Sequence, residues 1–242
     1  MKTLIRLEKD HIPKGVDDFL YIRPTYISMT DQLGVLPATS SKLFIIMSPI
    51  NSKQTNPIKV YCPQDITKKY PQAFGHLNLG SNIGPILDQL KIAKEKGYDD
   101  VLFLLNDNIT ELTDMNVFVF WENENGKKEL VTPALDGSVL PGITRDSIIK
   151  LTKERGINVT ERHISIKELI NSINSNKMLE IFGASTFNGL TSIREIHFDN
   201  QAYKLLGDLN LNKRTEFCQS IHDCLMKIKL GEEQHPWVSP LE

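Results

Sequence analysis

The sequence predicts a mixed protein of helices and strands, of the α+β or the α/β class, and three observations support this. Short segments rich in β-branched and aromatic residues alternate with segments whose apolar residues recur at helical spacing. The 242 residues are enough to bury a sizeable hydrophobic core. Apolar residues make up 40% of the chain and charged residues 24%, which is typical of a globular protein.

The first strands are predicted at positions 20–28 (LYIRPTYIS) and 42–50 (KLFIIMSPI), where β-branched and aromatic side chains dominate. The polar stretch Asn51–Pro57 follows and ends in proline, which makes it the best linker candidate of the chain. A further strand, Ile58–Cys62, opens a second region.

The second region alternates between helices and strands. An amphipathic helix is predicted over Pro85–Lys96, with Gly97 ending it and an apolar stripe formed by Ile86, Leu87, Leu90 and Ile92. Val101–Leu105 and Val117–Trp121 are predicted to form paired strands. The remaining helices are predicted at Ile143–Arg155, Ser165–Ser175 and Asn212–Lys229.

Composition restricts the function classes. The net charge of −2 argues against a protein whose main function is to bind nucleic acid, because the chain has no large excess of positive charge that would release counterions from a phosphate backbone. Three cysteines are too few for a disulfide framework and indicate a reducing compartment. We expect no transmembrane segment, since no apolar run has the required length, and we see no secretory signal at the start of the chain.

Motifs that stand alone in the sequence predict little chemistry. Three glycines at positions 75, 80 and 84 precede a helix and could surround an anion, but their spacing is not that of a nucleotide loop, so a tight turn is favoured. Cys218, His222 and Cys224 fall within one helix, where packing is favoured over metal binding, and we expect no metal site. Glu111 and Asp114 lie between two apolar strands, either on a solvated loop or as site carboxylates.

Taken together, several longer segments resemble the branched-chain aminotransferases, enzymes of fold type IV that use pyridoxal phosphate (PLP). The segments LVTPALDGSVLPGITRDS, TELTDMNVFVFW and FGASTFNG are close to three motifs of that family, and they occur in the family's order. YIRP at Tyr21–Pro24 and KLGEEQHPWV near the end of the chain add two more matches. The resemblance runs along nearly all 242 residues.

The resemblance implies two α/β domains with PLP between them. Residues 1–52 would be a partial small domain, and residues 53–242 a complete large aminotransferase-like domain. We expect the chain to be truncated, because it begins inside the family's small domain and lacks about the first third of a typical member. The missing part includes an arginine that binds the cofactor phosphate in the family.

One departure from the family's pattern concerns the chemistry directly. The lysine that forms the Schiff base with PLP in the family aligns with Asn78, and no lysine occurs between Lys69 and Lys91. An amide is not nucleophilic and cannot act as the base of a proton shift. The neighbouring family tyrosine is replaced by Ile83, and a threonine by Asp114. The resemblance therefore implies no catalytic residue at position 78, and we expect no cofactor, or at most PLP bound without a covalent bond.

Other family positions are retained as vestiges of the cofactor site. By resemblance, Glu111 matches the carboxylate that pairs with the pyridine nitrogen, and Ile143, Thr144 and Thr186 match the phosphate-binding cup. Tyr21 and Arg23 match residues on the substrate side. Turn geometry alone could also account for this retention, and we favour that explanation.

Three functions follow from this pattern. The first is a catalytically inactive aminotransferase-like protein that serves as a structural or interaction subunit of a larger assembly. The second is a PLP-dependent branched-chain amino acid transaminase completed by a second chain, and the third is a small-molecule-binding module without catalysis. Whether the chain is an enzyme stays open, with the inactive form favoured.

The expected partners follow from the incomplete small domain. Its apolar surface around Leu43–Met47 would be uncovered, so other protein subunits, or a second copy in a homodimer, are predicted to cover it. We predict a mitochondrial location, with the cytoplasm as the alternative.

Overall fold

The computed structural model describes residues 1–15, 18–51, 56–205 and 213–239. The chain divides into two compact units, whose boundary along the sequence falls between Lys53 and Gln54. The predicted domain boundary at residue 52 and most of the predicted linker Asn51–Pro57 lie outside the described residues.

The N-terminal unit is built around one long hairpin. A short helix α1 (Lys2–Leu7) and a 3-10 turn precede strands β1 (Asp18–Met29) and β2 (Ser40–Asn51). The two strands pair antiparallel along their whole length, as their runs of β-branched and aromatic residues favour. No described residue of this unit is fully buried, and Leu43 and Ile46 remain 62% and 53% exposed. The hairpin therefore carries exposed apolar side chains, as predicted for Leu43–Met47.

The C-terminal unit is organised around an eight-stranded mixed sheet. Its strands are β3 (Ile58–Tyr61), β4 (Asp100–Val101), β7 (Asn116–Glu122), β8 (Lys128–Thr132), β9 (Asn158–Glu161), β10 (Met178–Ser185), β11 (Gly189–Phe198) and β12 (Gln201–Lys204). The spatial order is β4-β3-β11-β10-β7-β8-β9, with β12 paired to β11. The pairs β3–β4, β3–β11 and β8–β9 are parallel, and the others are antiparallel.

The predicted pairing of Val101–Leu105 with Val117–Trp121 is wrong. Asn106 and Asp107 both have positive φ angles, and they turn the chain back at once into the small hairpin of β5 (Leu104–Leu105) and β6 (Asn108–Ile109). Strand β7 instead lies between β10 and β8. The apolar run of residues 101–105 is thus divided between β4 and this hairpin.

Among the described residues, the helices that accompany the sheet are α2 (Gly80–Ile83), α3 (Leu87–Glu95), α4 (Ile143–Glu154), α5 (Ile166–Asn174) and α6 (Glu216–Leu230). The predicted helix over residues 85–96 is shorter than expected, because Gly84–Ile86 form a 3-10 turn. Its predicted apolar stripe is partly wrong, since Leu87 is 52% exposed whereas Ala93 is buried. Position 212, the predicted start of the last helix, lies outside the described residues.

Helices α4, α5 and α6 cover the sheet through two of the apolar clusters. One cluster contains the buried side chains of α5 with strands β3, β7 and β11, and the other contains those of α4 and α6 with β7, β8 and β10. Glu180 on β10 fixes the start of α6, because its carboxylate accepts the Phe217 and Cys218 N–H groups and the Thr215 hydroxyl. None of the described helices has the length and apolar character needed to cross a membrane.

Candidate functional site

A buried carboxylate held by two lysines lies at the centre of the candidate site. Glu111 is 3% exposed and follows β6 along the chain. The Lys68 Nζ lies 2.5 Å from Glu111 Oε2, and the Lys69 Nζ lies 2.9 Å from Oε2 and 3.1 Å from Oε1. The backbone N–H of Leu140 also donates to Oε1, at 2.5 Å. Glu111, Lys68 and Lys69 form a cluster that we call the Glu111 triad.

The two lysines of the triad differ in how their ammonium groups are satisfied. Lys68 donates to Glu111 and also to the carbonyl oxygens of Leu112 and Thr113, both at 2.9 Å, so each of its three donors has a partner. Within the described residues, the hydrogen bonds of Lys69 go to Glu111 alone. Burial lowers the pKa of Lys68, and the charge of Lys69 lowers it further, against the opposing effect of Glu111.

Another buried carboxylate lies behind the triad. Asp100 accepts the N–H groups of Val101 and Thr113, and burial raises its pKa despite these hydrogen bonds. The Thr113 hydroxyl oxygen is buried without a hydrogen-bond partner in the described structure. The turn over residues 112–114 is therefore held from both sides, by Lys68 on its carbonyl oxygens and by Asp100 on its N–H group.

Asn116 connects the triad to the start of α4. It forms an isolated bridge with Glu111 and pairs with Ala184 across β7 and β10. Its side-chain amide donates to the Leu140 carbonyl oxygen at 2.9 Å, while Leu140 N–H binds Glu111. The amide oxygen of Asn116 also lies against Gly142, where an added Cβ would come within 2.3 Å of it. The first residue of β7 thus brings Glu111, the α4 start and the end of β10 together.

The groups predicted to form the phosphate cup are open. Gly142 is the N-cap of α4 and offers no side-chain cap, so the first N–H groups of this 12-residue helix face no capping side chain. Ile143 is 79% exposed, Thr144 is half-buried and Thr186 is exposed. An uncapped helix N-terminus has the N–H donors that an anion needs.

The glycines near the cup are explained by packing. A Cβ on Gly183 would lie 2.8 Å from Leu112 Cδ1 and 2.9 Å from Met115 Sδ, so β10 can approach the 112–115 turn only with glycine there. A Cβ added to Gly142 would likewise clash with the side chain of Asn116. These two glycines are therefore required by the fold, whereas packing does not explain the open hydroxyl groups.

The other predicted site residues lie at helix α2 or in the N-terminal unit. Asn78 is exposed in the loop before α2, and Ile83 ends that helix half-buried. Tyr21 and Arg23 lie on β1 in the N-terminal unit, so their role on the substrate side stays a prediction. Among the described residues, no group of three or more His, Cys, Asp or Glu could hold a metal ion.

Sequence reasoning did not identify Lys68 and Lys69. A pair of adjacent lysines usually indicates a solvated surface. The available signal was their position between the buried strand β3 and the glycine-spaced segment. Lys69 and Glu111 are 42 positions apart in the sequence, which conceals their contact.

Comparisons with known proteins identify the family of the chain. The family described as amino-transferase class IV matches residues 2–196. A branched-chain-amino-acid aminotransferase of Dictyostelium discoideum is 40% identical over 98% of this chain and 64% of its own length. The mitochondrial branched-chain-amino-acid aminotransferase of Schizosaccharomyces pombe is 34% identical over 99% of this chain and 58% of its own length. The cytosolic enzyme of Rattus norvegicus is 37% identical over 76% of this chain and 46% of its own length.

Solved structures share the fold. The branched-chain amino acid aminotransferase of Escherichia coli has a TM-score of 0.74 at 25% identity and covers 98% of this chain and 71% of its own. The branched-chain amino acid aminotransferase of Thermobaculum terrenum, in its PLP-form, has a TM-score of 0.80 at 21% identity. The match covers 100% of this chain and 74% of the Thermobaculum chain. The prediction of fold type IV is thereby confirmed. The chain spans less than two thirds of the length of the curated relatives named above.

The prediction that no cofactor is bound is wrong. It depended on the loss of one lysine at position 78, whereas the matching family is a family of aminotransferases and the Thermobaculum structure was solved with PLP. A PLP cofactor is therefore the expectation for a chain with this fold. The physical reason for the error is that a cofactor is held by many groups, so that loss of one covalent contact does not remove the site.

Proposed function

We propose, for a chain that belongs to the class IV aminotransferase family, that its C-terminal unit binds PLP and serves the transamination of branched-chain amino acids. The observation that carries this proposal is the buried Glu111, which Asn116 connects to the open N-terminus of α4. One carboxylate for a pyridine nitrogen and one anion-binding helix end for a phosphate are the two contacts that PLP needs at its two ends.

The residues present fit the cofactor. Glu111 would hold the pyridine nitrogen, since hydrogen bonds from Lys68 and the Leu140 N–H fix the position of its carboxylate. The α4 N-terminus with Thr144 and Thr186 would hold the phosphate. When bound, PLP supplies an electron sink that stabilises the carbanion formed at the amino acid. The role of the chain is to bind and orient PLP and to exclude water around Glu111.

The complete activity depends on more than these residues. We propose that a second chain or a second copy completes the substrate side, where Tyr21 and Arg23 are the candidates from this chain. The relatives include mitochondrial and cytosolic proteins, and a mitochondrial location is our proposal for this one.

Equilibrium dialysis with PLP tests the proposal. We expect saturable binding by the full chain, and weaker binding by Thr186→Val, because loss of a hydrogen bond to a charged group costs about 1.5–3 kcal/mol, or roughly tenfold to a hundredfold in affinity. The matched control is Thr30→Val, at an exposed threonine of the N-terminal unit. Binding that does not saturate, or that both variants weaken equally, would refute the proposed site.

A non-catalytic subunit is the second candidate, and the exposed amide of Asn78 favours it. In this case the chain would keep the fold, and other subunits would cover apolar side chains such as Leu43 and Ile46. The two functions separate in one experiment on the assembly purified from its source. Amino-group transfer from leucine to a 2-oxo acid supports the first function. Partners in fixed ratio without any transfer support the second.

A further inference from the structure

We infer that Lys69 supplies the amine that reacts with the aldehyde of PLP in this protein, in place of the group absent at Asn78. This inference rests on the proposed function, because it requires PLP to bind beside Glu111. Its basis is the geometry of the Glu111 triad and the position of Lys69 next to the loop that carries Asn78.

The first argument is the position of the Lys69 backbone. Gly75, three residues before Asn78, packs directly against it, since a Cβ added to Gly75 would lie 3.0 Å from Lys69 Cβ and 2.8 Å from the Tyr70 carbonyl oxygen. The loop before α2 therefore folds back onto the start of the Lys69 side chain. The Lys69 amine therefore reaches Glu111 from the loop in which the resemblance places the missing lysine.

The second argument distinguishes Lys69 from Lys68. All three donors of Lys68 are engaged, two of them with the carbonyl oxygens of Leu112 and Thr113, so this side chain is held in place. Lys69 has no described partner other than Glu111. Two cations share one carboxylate here, and the amine with fewer partners is the one that can leave it.

The third argument is what remains when Lys69 moves. Each oxygen of Glu111 then keeps one donor, Leu140 N–H on Oε1 and Lys68 Nζ on Oε2. Each oxygen also has an acceptor position that Lys69 has vacated, and the pyridine nitrogen can take one of them. Departure of Lys69 thus prepares the carboxylate for the cofactor and frees the amine in one movement.

The covalent step balances without an oxidant or reductant. The Lys69 ammonium releases one proton to solvent, and the neutral nitrogen adds to the aldehyde carbon of PLP. A carbon–nitrogen double bond forms, and the carbonyl oxygen leaves as water. Borohydride then delivers a hydride to the imine carbon and makes the bond permanent, which allows the modified residue to be located.

The test uses the full chain with PLP, borohydride and peptide mapping by mass spectrometry, next to a dialysis measurement of PLP binding. We expect one reduced pyridoxyl phosphate group, mapped to Lys69. Lys69→Arg keeps the positive charge on Glu111 but forms no imine, so the adduct should be lost. Lys91→Arg, at an exposed lysine of α3, should leave the adduct unchanged.

The outcomes separate the inference from the proposed function. Saturable PLP binding without an adduct, or with the adduct on Lys68 or spread over exposed lysines, overturns the inference and leaves the PLP site standing. Absence of saturable binding overturns both. The wild-type mapping decides the matter even where Lys69→Arg does not fold.

Discussion

Replacement of Glu111 by alanine should destabilise the C-terminal unit strongly. The change leaves two ammonium groups, whose side chains are only 3% and 5% exposed, without the carboxylate that they share. Breaking a buried ion pair by removing one partner costs about 3–5 kcal/mol. A typical domain is stable by only about 5–15 kcal/mol, so this single change should remove a large part of the free energy of unfolding.

Urea unfolding followed by tryptophan fluorescence measures this loss. Trp121 on β7 is 4% exposed and reports on the C-terminal unit, and a Trp237→Phe background removes the exposed second tryptophan. Glu154→Ala, at an exposed glutamate of α4, is the control and should change little. The triple variant Lys68→Met, Lys69→Met, Glu111→Leu should recover part of the stability, because apolar replacement of a whole buried pair is often neutral or stabilising. The recovery is incomplete because the Leu140 N–H and the Leu112 and Thr113 carbonyl oxygens lose these partners. A loss for Glu111→Ala below about 1 kcal/mol, as for a surface pair, would refute the reasoning.

Three further predictions concern contacts away from the triad. Glu180→Gln should destabilise α6 by about 1–2 kcal/mol, measured by urea unfolding, because the ionised cap at the helix start is lost; an unchanged midpoint would contradict this. The pKa of Asp136 lies below its usual value, because hydrogen bonds from Ser138 and the nearby His163 outweigh the opposing effect of burial. Its contribution to stability is therefore present above the ordinary carboxyl pKa of about 3.9 and lost as pH falls through the lower folded value. Ser138→Ala should raise that pKa in an NMR titration, and no shift would contradict the assignment. Native alkylation should modify half-buried Cys224 first, because burial raises the pKa of the other two thiols to about 12; equal labelling of all three before unfolding would argue against this.

Local patterns predicted several elements well. Strands β1 and β2 and helices α4 and α5 lie within a few residues of their predicted positions, because β-branched runs and helical apolar spacing are local signals. The pairing of residues 101–105 was not predictable in this way. It depends on the left-handed backbone conformations of Asn106 and Asp107. No apolar pattern in the sequence predicts these conformations.

Of the Glu111 triad, only the acidic member was named from the sequence. Glu111 was singled out as one of two carboxylates between apolar strands, on a solvated loop or in a site, and the family resemblance assigned its role. Its partners could not be read from the sequence, because Lys68 and Lys69 reach it only after the chain has passed through the loop before α2, helix α3 and the β5–β6 hairpin. The role of Asn116 was hidden for the same reason, since its amide connects segments that only the sheet brings together.

A structure of the full chain determined with PLP tests the central claim most directly. The account predicts the pyridine nitrogen within about 3 Å of a Glu111 oxygen and the phosphate at the N-terminus of α4, beside Thr144 and Thr186. Lys68 should remain on Glu111, and Lys69 should have left it. PLP bound elsewhere, or a Glu111 that still holds both lysines while PLP occupies the chain, would contradict the account.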